Sequence, residues 1–156
     1  MRLTFKAARI GAGLTIIGLF LVLVPMFGQT NARSKLTVRV TGARNATGAI
    51  RAVLYQDADG FPENPSKVYR REQAAIDPQT LSADIVFDDI PQGTYAVAVF
   101  HDENMNGKLD KNFVGAPKEG YGASNNPKKR MGPPSFEEAK LSVNDAEHSI
   151  QIKLIY

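Results

Sequence analysis

Short segments in which apolar side chains occupy every second position dominate this chain after residue 35. Leu36, Val38 and Val40 alternate with polar residues, and the same period continues through the segment from Gly48 to Tyr55. A period of two is typical of β-strands that bury one face, whereas apolar positions on a helix recur about every 3.6 residues. The pattern therefore predicts a fold built from sheets.

Further strands are predicted wherever the alternation returns, and clusters of Gly, Asn, Asp and Pro separate them as turns. These strands are expected over residues 83–87, 93–100, 139–143 and 149–155. Only one helical turn is expected, where Ser135 and Glu138 have the spacing of a capping box. The sequence therefore predicts an all-β fold, an antiparallel sandwich of about seven strands.

The first 32 residues have a different composition and are set apart from this domain. Three basic residues precede an uncharged apolar run from Ile10 to Val24. A basic segment followed by an apolar one is typical of an export signal, and the small residues that end at Ala32 predict cleavage before Arg33. The alternative is that residues 7–24 remain as a membrane anchor. Either way, we expect residues 33–156 to form one domain outside the cytoplasm, in the periplasm or the extracellular space.

The charge and the cysteine content of that domain argue against two classes of protein, nucleic-acid-binding and disulfide-stabilised ones. All 16 acidic residues lie after Ala32, as do 16 of the 19 basic ones, so residues 33–156 are neutral on balance. The basic character of the whole chain therefore comes from its first segment, and nothing predicts a nucleic-acid partner. Cysteine is absent, so an ordinary apolar core has to stabilise the domain without disulfides.

A turn followed by a strand between Pro91 and Val97 indicates the kind of sandwich. The pattern PxGxYxV resembles the entry into the central strand of many prealbumin-like and carboxypeptidase-regulatory-like domains. Tyr95 would then lie on the same face as Val97 and Val99, so we expect it in the core.

A loop of the form DxNxNGxxD follows that strand directly and is the strongest candidate functional site. Asp102, Asn104, Asn106 and Asp110 offer side-chain oxygens, and Lys108 offers a backbone carbonyl at the seventh position. Short side chains at alternate positions can converge on a hard cation when a glycine in the loop permits a sharp turn. The loop therefore predicts a calcium site, with Gly107 making the turn.

The loop is not an EF-hand, because Phe113 stands where that motif places a bidentate Glu. Only two carboxylates contribute charge, so we expect a dissociation constant on the order of 10⁻⁴ to 10⁻³ M, as in extracellular calcium modules. Calcium would then be structural. A polar hairpin turn without a metal is the alternative, since Asn106 followed by Gly107 is also a common hairpin sequence.

Two functional hypotheses follow from these residues. The first is a noncatalytic exported module, stabilised by Ca²⁺, that has a structural role or binds a protein, peptide or glycan partner. The second is a small hydrolase in which His101 acts with neighbouring carboxylates. No serine elbow, cysteine nucleophile or HExxH sequence supports an enzyme. His101 is otherwise a candidate outer-shell neighbour of the metal ligands.

The segment from Asn112 to Pro134 is predicted to be a long loop over one end of the domain. Glu119, Tyr121 and Asn125 provide acidic, aromatic and amide groups of the kind that contact partners. The alternative is that Tyr121 and Phe136 pin this loop to the sheet as a small second core.

Three ordered motifs give the chain a resemblance to a known family. They extend from His101 to Asp110, from Gly115 to Asn125 and from Gly132 to Ala139, and the Gly60–Pro62 segment agrees with them. Together they resemble the bacterial domain-of-unknown-function family 2141 (DUF2141) over nearly all of the domain. The resemblance implies a small exported β-sandwich protein and supplies no mechanism.

Overall fold

The computed structural model describes residues 32–128 and 132–156, and this part of the chain is all-β. It contains eight strands, a 3₁₀ turn at Pro65–Lys67 and one helical turn, α1 (Phe136–Ala139). The strands are β1 (Arg33–Thr41), β2 (Ala49–Tyr55), β3 (Arg70–Ala74), β4 (Ser82–Pro91), β5 (Gly93–Asp102), β6 (Tyr121–Ala123), β7 (Leu141–Val143) and β8 (Glu147–Lys153). The all-β prediction is confirmed.

The strands form two sheets. The first has three strands in the order β4-β1-β8, and the second has the order β3-β2-β5-β6, with β7 also paired to β5. β5 is the central strand of the second sheet and pairs antiparallel with β2, β6 and β7. The loop that follows β5 therefore begins at the strand that has the most pairing partners in that sheet.

A common apolar core lies between the two sheets. Leu36, Val38 and Phe87 enter it from the first sheet, and Ile50 and Val97 enter it from the second. All five are almost fully buried. Since alternate residues of each strand share a face, this core contains the alternating apolar residues of the sequence.

A smaller apolar cluster lies on the outer face of the second sheet. Tyr55, Ala96 and Ala123 belong to it, together with Phe136 and Ala139 from α1. The interpretation that Tyr121 and Phe136 pin the long loop as a small second core is confirmed for Phe136 only, because Tyr121 is not part of this cluster. The helical turn also has the predicted capping box, in which the backbone N–H of Ser135 donates to the Glu138 carboxylate at 2.8 Å.

Two features of the predicted sheet are wrong. β1 and β8 pair in parallel, with Lys35 opposite Glu147, so the strands are not antiparallel throughout. Apolar alternation specifies which face of a strand is buried but not the direction of its neighbour. The structure also has two strands that the sequence did not predict, β3 and β6. β3 is an exposed edge strand with a single apolar residue, and β6 has only three residues.

Tyr95 has the core position predicted for it. Its side chain is 1% exposed, and its hydroxyl donates to the carbonyl of Pro91 at 2.7 Å. That bond fixes the turn into β5, and a buried hydroxyl requires such a partner. The predicted export signal or anchor lies outside the described residues. Within those residues no helix is long and apolar enough to cross a membrane.

Candidate functional site

The DxNxNGxxD loop begins inside the second sheet. Asp102 is the last residue of β5 and pairs with Ala49 at the start of β2. Gly48 precedes that pair with φ +75°, and a Cβ atom added there would lie 2.0 Å from the carbonyl oxygen of Asp102. Only glycine permits such an approach, so the start of the loop is fixed by the backbone of β2.

Asp102 is a fully buried carboxylate that accepts three hydrogen bonds. Its Oδ1 accepts from the backbone N–H of Asn106 at 3.0 Å, and its Oδ2 accepts from that of Gly107 at 2.8 Å. Oδ2 also accepts from Nε of Arg51, whose side chain is 28% exposed. Burial alone would raise the pKa of Asp102, but the Arg51 hydrogen bond, the Gly107 N–H and the guanidinium charge lower it below its usual value. The side chain is therefore an anion that organises the loop around itself.

The other predicted ligands converge on Asp110. Nδ2 of Asn104 donates to Asp110 Oδ2 at 2.8 Å, and Nδ2 of Asn106 donates to Oδ1 at 3.0 Å. Because Asn106 also donates its backbone N–H to Asp102, it connects the two carboxylates. The structure thus brings Asp102, Asn104, Asn106 and Asp110 together in one hydrogen-bonded cluster. Lys108 follows with its N–H bonded to Oδ1 of Asn106 at 2.8 Å.

Two residues of the loop have left-handed backbone conformations. Gly107 has φ +79°, as the sequence pattern requires of its sixth position, and Met105 has φ +60°. A side chain such as that of methionine makes this conformation costly, by about 1 to 3 kcal/mol. The strain is offset by the surrounding hydrogen bonds, and such strained positions occur preferentially at ligand-binding sites.

Glu119 holds the two ends of the loop together. It is 4% exposed, its Oε1 accepts from the N–H of Glu103 at 2.9 Å and its Oε2 accepts from the N–H of Asp110 at 3.0 Å. Both oxygens are thus engaged by the loop backbone. Glu119 therefore acts as a clamp that joins the start of the loop to its end.

His101 lies on the opposite face of β5 from the side chain of Asp102 and is fully buried. Its Nε2 is 2.7 Å from the carbonyl oxygen of Thr47, so this nitrogen donates. Its Nδ1 is 2.8 Å from the hydroxyl of Tyr156, which in turn accepts from the N–H of Arg44 at 2.9 Å. Burial raises the pKa of Tyr156, and its phenol donates to the histidine. His101 therefore connects Tyr156 to the segment that precedes β2.

The residues of the loop can be tested for their fit to calcium. Asp102 and Asp110 supply carboxylate oxygens and Asn104 and Asn106 supply amide oxygens, all of the hard type that calcium prefers. Oδ1 of Asp102 accepts one hydrogen bond and retains a free lone pair. The side-chain amides of Asn104 and Asn106 now donate their N–H groups to Asp110, so both would have to turn their oxygens inward to bind an ion. Among the described residues, no group of three or more His, Cys, Asp or Glu side chains is placed to hold a metal.

Tyr121 and Asn125 lie away from the loop cluster. The hydrogen bonds of the Asn125 side chain go to the carbonyls of Glu138 and Lys140 in the α1 region, at 3.2 and 2.8 Å. Tyr121 is on β6 opposite Phe100, and both line a groove of about 880 Å³ on the outer face of the second sheet. Lys108 lines the same groove, so the candidate metal loop forms part of its wall.

Arg51 is the residue of this site that the sequence analysis missed. It is the only charged residue of β2 and shares a strand face with the apolar Val53 and Tyr55. A single charge on that face was the sequence feature that could have indicated a buried partner. Its partner could not be identified, since nothing in the sequence aligns β2 with β5.

Comparison with known proteins agrees with the resemblance found in the motifs. Neither the curated proteins nor the solved structures give a match to this chain. One protein family matches residues 38–151, which include the loop, its Glu119 clamp and most of both sheets. The chain therefore belongs to the family described as uncharacterized proteins conserved in bacteria, DUF2141.

Proposed function

We propose that this protein is an exported, noncatalytic β-sandwich module of the prealbumin-like or immunoglobulin-like kind, whose DxNxNGxxD loop binds one calcium ion. The ion has a structural role and stiffens the wall of the groove that contains Tyr121. A peptide or glycan is the proposed partner, because the groove is lined by the aromatic side chains of Tyr55, Phe100 and Tyr121.

The observation that carries the proposal is the convergence of the loop side chains. Asn106 lies within 3.0 Å of both carboxylates, through its backbone N–H to Asp102 and its side chain to Asp110. A simple polar hairpin does not require one asparagine to bridge two acidic residues in this way. The two hydrogen bonds of the buried Glu119 hold the loop in that conformation against the backbone strain at Met105.

The charges of the site predict weak binding of the calcium ion. Asp102 and Asp110 bring two negative charges, and the guanidinium of Arg51 offsets one of them at Oδ2 of Asp102. Calcium affinity depends on the number of charged ligands, so we expect a dissociation constant on the order of 10⁻⁴ to 10⁻³ M. This range suits an extracellular module at millimolar calcium.

A hydrolase that uses His101 gains no support from the geometry. The histidine is fully buried and both of its ring nitrogens have partners. Glu119 directs both oxygens at backbone N–H groups. A general base needs access to the proton that it removes, and neither side chain has it.

The test is thermal and urea unfolding of residues 33–156, which contain both apolar clusters, in excess EDTA and in about 10 mM calcium. A ligand that binds only the folded state stabilises it by mass action, here by about 1 to 3 kcal/mol for the expected affinity. Asp110→Asn should abolish the calcium effect, and Asp145→Asn at an exposed position should leave it unchanged. Coincident curves in EDTA and calcium would show that the loop is only a turn.

The proposal that the protein is exported depends on the basic and apolar segment before residue 33. Its test is fractionation of bacteria that express the full chain, followed by N-terminal sequencing of the product. We expect the mature protein outside the cytoplasm with Arg33 as its first residue. A full-length membrane-bound product would instead indicate an anchor at residues 7–24.

A further inference from the structure

Four side chains form a row across the outer face of the second sheet. The strand register places Gln73 on β3 opposite Arg51 on β2, Arg51 opposite Phe100 on β5, and Phe100 opposite Tyr121 on β6. All four line the groove of about 880 Å³ on that face. Neighbouring strands lie about 4.8 Å apart, so this row is roughly 14 Å long, which is comparable with a short oligosaccharide.

Asp102 fixes the guanidinium of Arg51 at one edge and leaves its other edge to a ligand. Nε of Arg51 donates to Oδ2 of Asp102, and among the residues that the structure describes the two Nη atoms have no acceptor. A Cβ atom added to Gly107 would lie 4.0 Å from Cζ of Arg51, so a longer side chain there would begin in contact with the guanidinium. Since a guanidinium has five N–H donors, four of them are available to acceptors in the groove.

The groove also contains polar groups that accept hydrogen bonds. The amide of Gln73 and the hydroxyl of Tyr121 each donate and accept, and neither has a partner in the described part of the chain. Glu72, next to Gln73 in the groove lining, adds a carboxylate that only accepts and likewise has no partner among those residues. Donors and acceptors therefore lie together around the ring of Phe100.

The charges of the groove are balanced, so they select neither an anion nor a cation. The lining contains four basic and two acidic side chains, namely Arg51, Arg71, Lys108, Lys111, Glu63 and Glu72. Asp102 and Asp110 of the adjoining loop supply two further carboxylates. A bound calcium ion and the buried Glu119 together would shift this balance by only one unit of charge. An uncharged ligand with many hydroxyl groups therefore matches the groove better than an acidic or a basic one.

We propose that the groove binds an uncharged oligosaccharide through this row. A pyranose ring packs the C–H groups of one face against the ring of Phe100, and its hydroxyl groups bond to Arg51 and Gln73. Hydroxyl groups suit these partners, because each of them can accept from the guanidinium and donate to a carboxylate or amide oxygen. The inference rests on the proposed function, since it identifies the partner of the groove whose wall the calcium loop forms.

A peptide fits the groove less well than a sugar. β2 and β5 lie in its floor, and each has a neighbouring strand on both sides, so neither offers an open edge to which an extended peptide could add. A proline-rich peptide presents carbonyl acceptors but few N–H donors, so it would give Glu72 no partner. The apolar face of an amphipathic helix would cover the free edge of the Arg51 guanidinium without an acceptor.

The test is isothermal titration calorimetry of residues 33–156 with uncharged hexasaccharides in millimolar calcium. Cellohexaose, xylohexaose, maltohexaose and chitohexaose are the probes, because they differ in linkage and in the substituents of the ring. We expect at least one of them to bind with a dissociation constant on the order of 10⁻⁴ to 10⁻³ M, as a few hydrogen bonds and one packed ring permit. The affinity should not change with salt, since the ligand carries no charge.

Matched variants distinguish the row from the rest of the surface. Phe100→Ala should weaken sugar binding roughly tenfold, because the packed ring is lost. Phe113→Ala removes an exposed ring that does not line the groove, and it should have no effect. Gln73→Ala should weaken binding roughly threefold, whereas Gln151→Ala on the exposed face of β8 should not.

Arg51→Lys tests the guanidinium without removing the cation beside Asp102. Lysine has no second N–H edge, so binding should weaken roughly fivefold while the charge next to the carboxylate is kept. Circular dichroism and melting curves check that each variant is folded. Gln73 is exposed, so its variant keeps the test decisive if Phe100→Ala is unstable.

Three results would overturn the proposal. The first is that the folded protein binds none of the four hexasaccharides at millimolar concentration. The second is sugar binding that persists unchanged in Phe100→Ala and Gln73→Ala. The third is binding of a peptide from a displayed library, abolished by Phe100→Ala, with no sugar bound, since the partner would then be a peptide. The calcium proposal fails separately, because melting curves that coincide in EDTA and calcium while sugar binding stays intact would contradict the calcium site alone.

Discussion

The candidate calcium loop (residues 102–110) and the turn of residues 111–117, called the tip, follow each other along the chain but present opposite kinds of side chain to solvent. In both, asparagine side chains accept from backbone N–H groups two residues ahead, as Asn104 and Asn106 do in the loop and Asn112 does in the tip. The loop turns its acidic groups inward around a fully buried Asp102. The tip turns its apolar groups outward, with Phe113 fully exposed.

The difference shows where each segment obtains its stability. The loop depends on side chains from outside it, namely Arg51 on β2 and Glu119 in the segment before β6. The tip is held by its own backbone and Asn112, with one surface ion pair between Lys111 and Glu63. Substitutions in the loop should therefore cost much more free energy of unfolding than substitutions in the tip.

The largest effect is expected for Asp102→Ala. It removes the acceptor of two loop N–H groups and leaves the half-buried guanidinium of Arg51 without its carboxylate. Breaking a buried pair in this way costs roughly 3 kcal/mol. Urea unfolding measures the loss, and Asp84→Ala, whose ion pair with Arg39 is exposed, should cost less than about 1 kcal/mol. Equal losses in the two variants would contradict the organising role of Asp102.

Glu119→Gln should have the next largest effect. One end of the new amide would point a donor at the N–H of Glu103 or of Asp110, so one buried hydrogen bond is lost, at about 1 to 3 kcal/mol. Glu63→Gln changes the same group at the surface and should cost less than about 0.5 kcal/mol. Faster amide hydrogen exchange at Glu103 and Asp110 in Glu119→Gln would sharpen the assignment, and unchanged exchange would contradict it.

Asn112→Ala in the tip should cost about 1 kcal/mol. It removes an acceptor from two exposed backbone N–H groups, and water can replace it. Its calcium-dependent stabilisation should equal that of the unsubstituted protein. A loss of the calcium effect in this variant would mean that the loop and the tip form one unit.

The smallest effect on stability is expected for Phe113→Ser. The ring has no buried area to lose, so the free energy of unfolding should change by less than about 0.5 kcal/mol. Urea unfolding compared with that of Phe136→Ser, where a ring of the second cluster is buried, measures the contrast. A substantial loss at Phe113 would mean that its ring packs against the protein in solution.

The features that could be predicted from the sequence are those that depend on neighbouring residues. Six of the strands follow from apolar alternation, and the four polar residues of the loop follow from their close spacing. β3 was missed because Arg70 to Gln73 carry no apolar residue, as suits an exposed edge strand. Arg51 was missed, and Glu119 was predicted to contact a partner and not to clamp the loop, because a single sequence does not specify which strands pair or where a long loop returns.

The parallel pairing of β1 with β8 has a consequence for how the domain assembles. These strands come from opposite ends of the domain, so nearly every other element has to be made before they can meet. Contacts of such long sequence separation lower folding rates, because a large loop must close first. The three-stranded sheet would therefore be completed late, and one edge of β1 would stay open until β8 has been made.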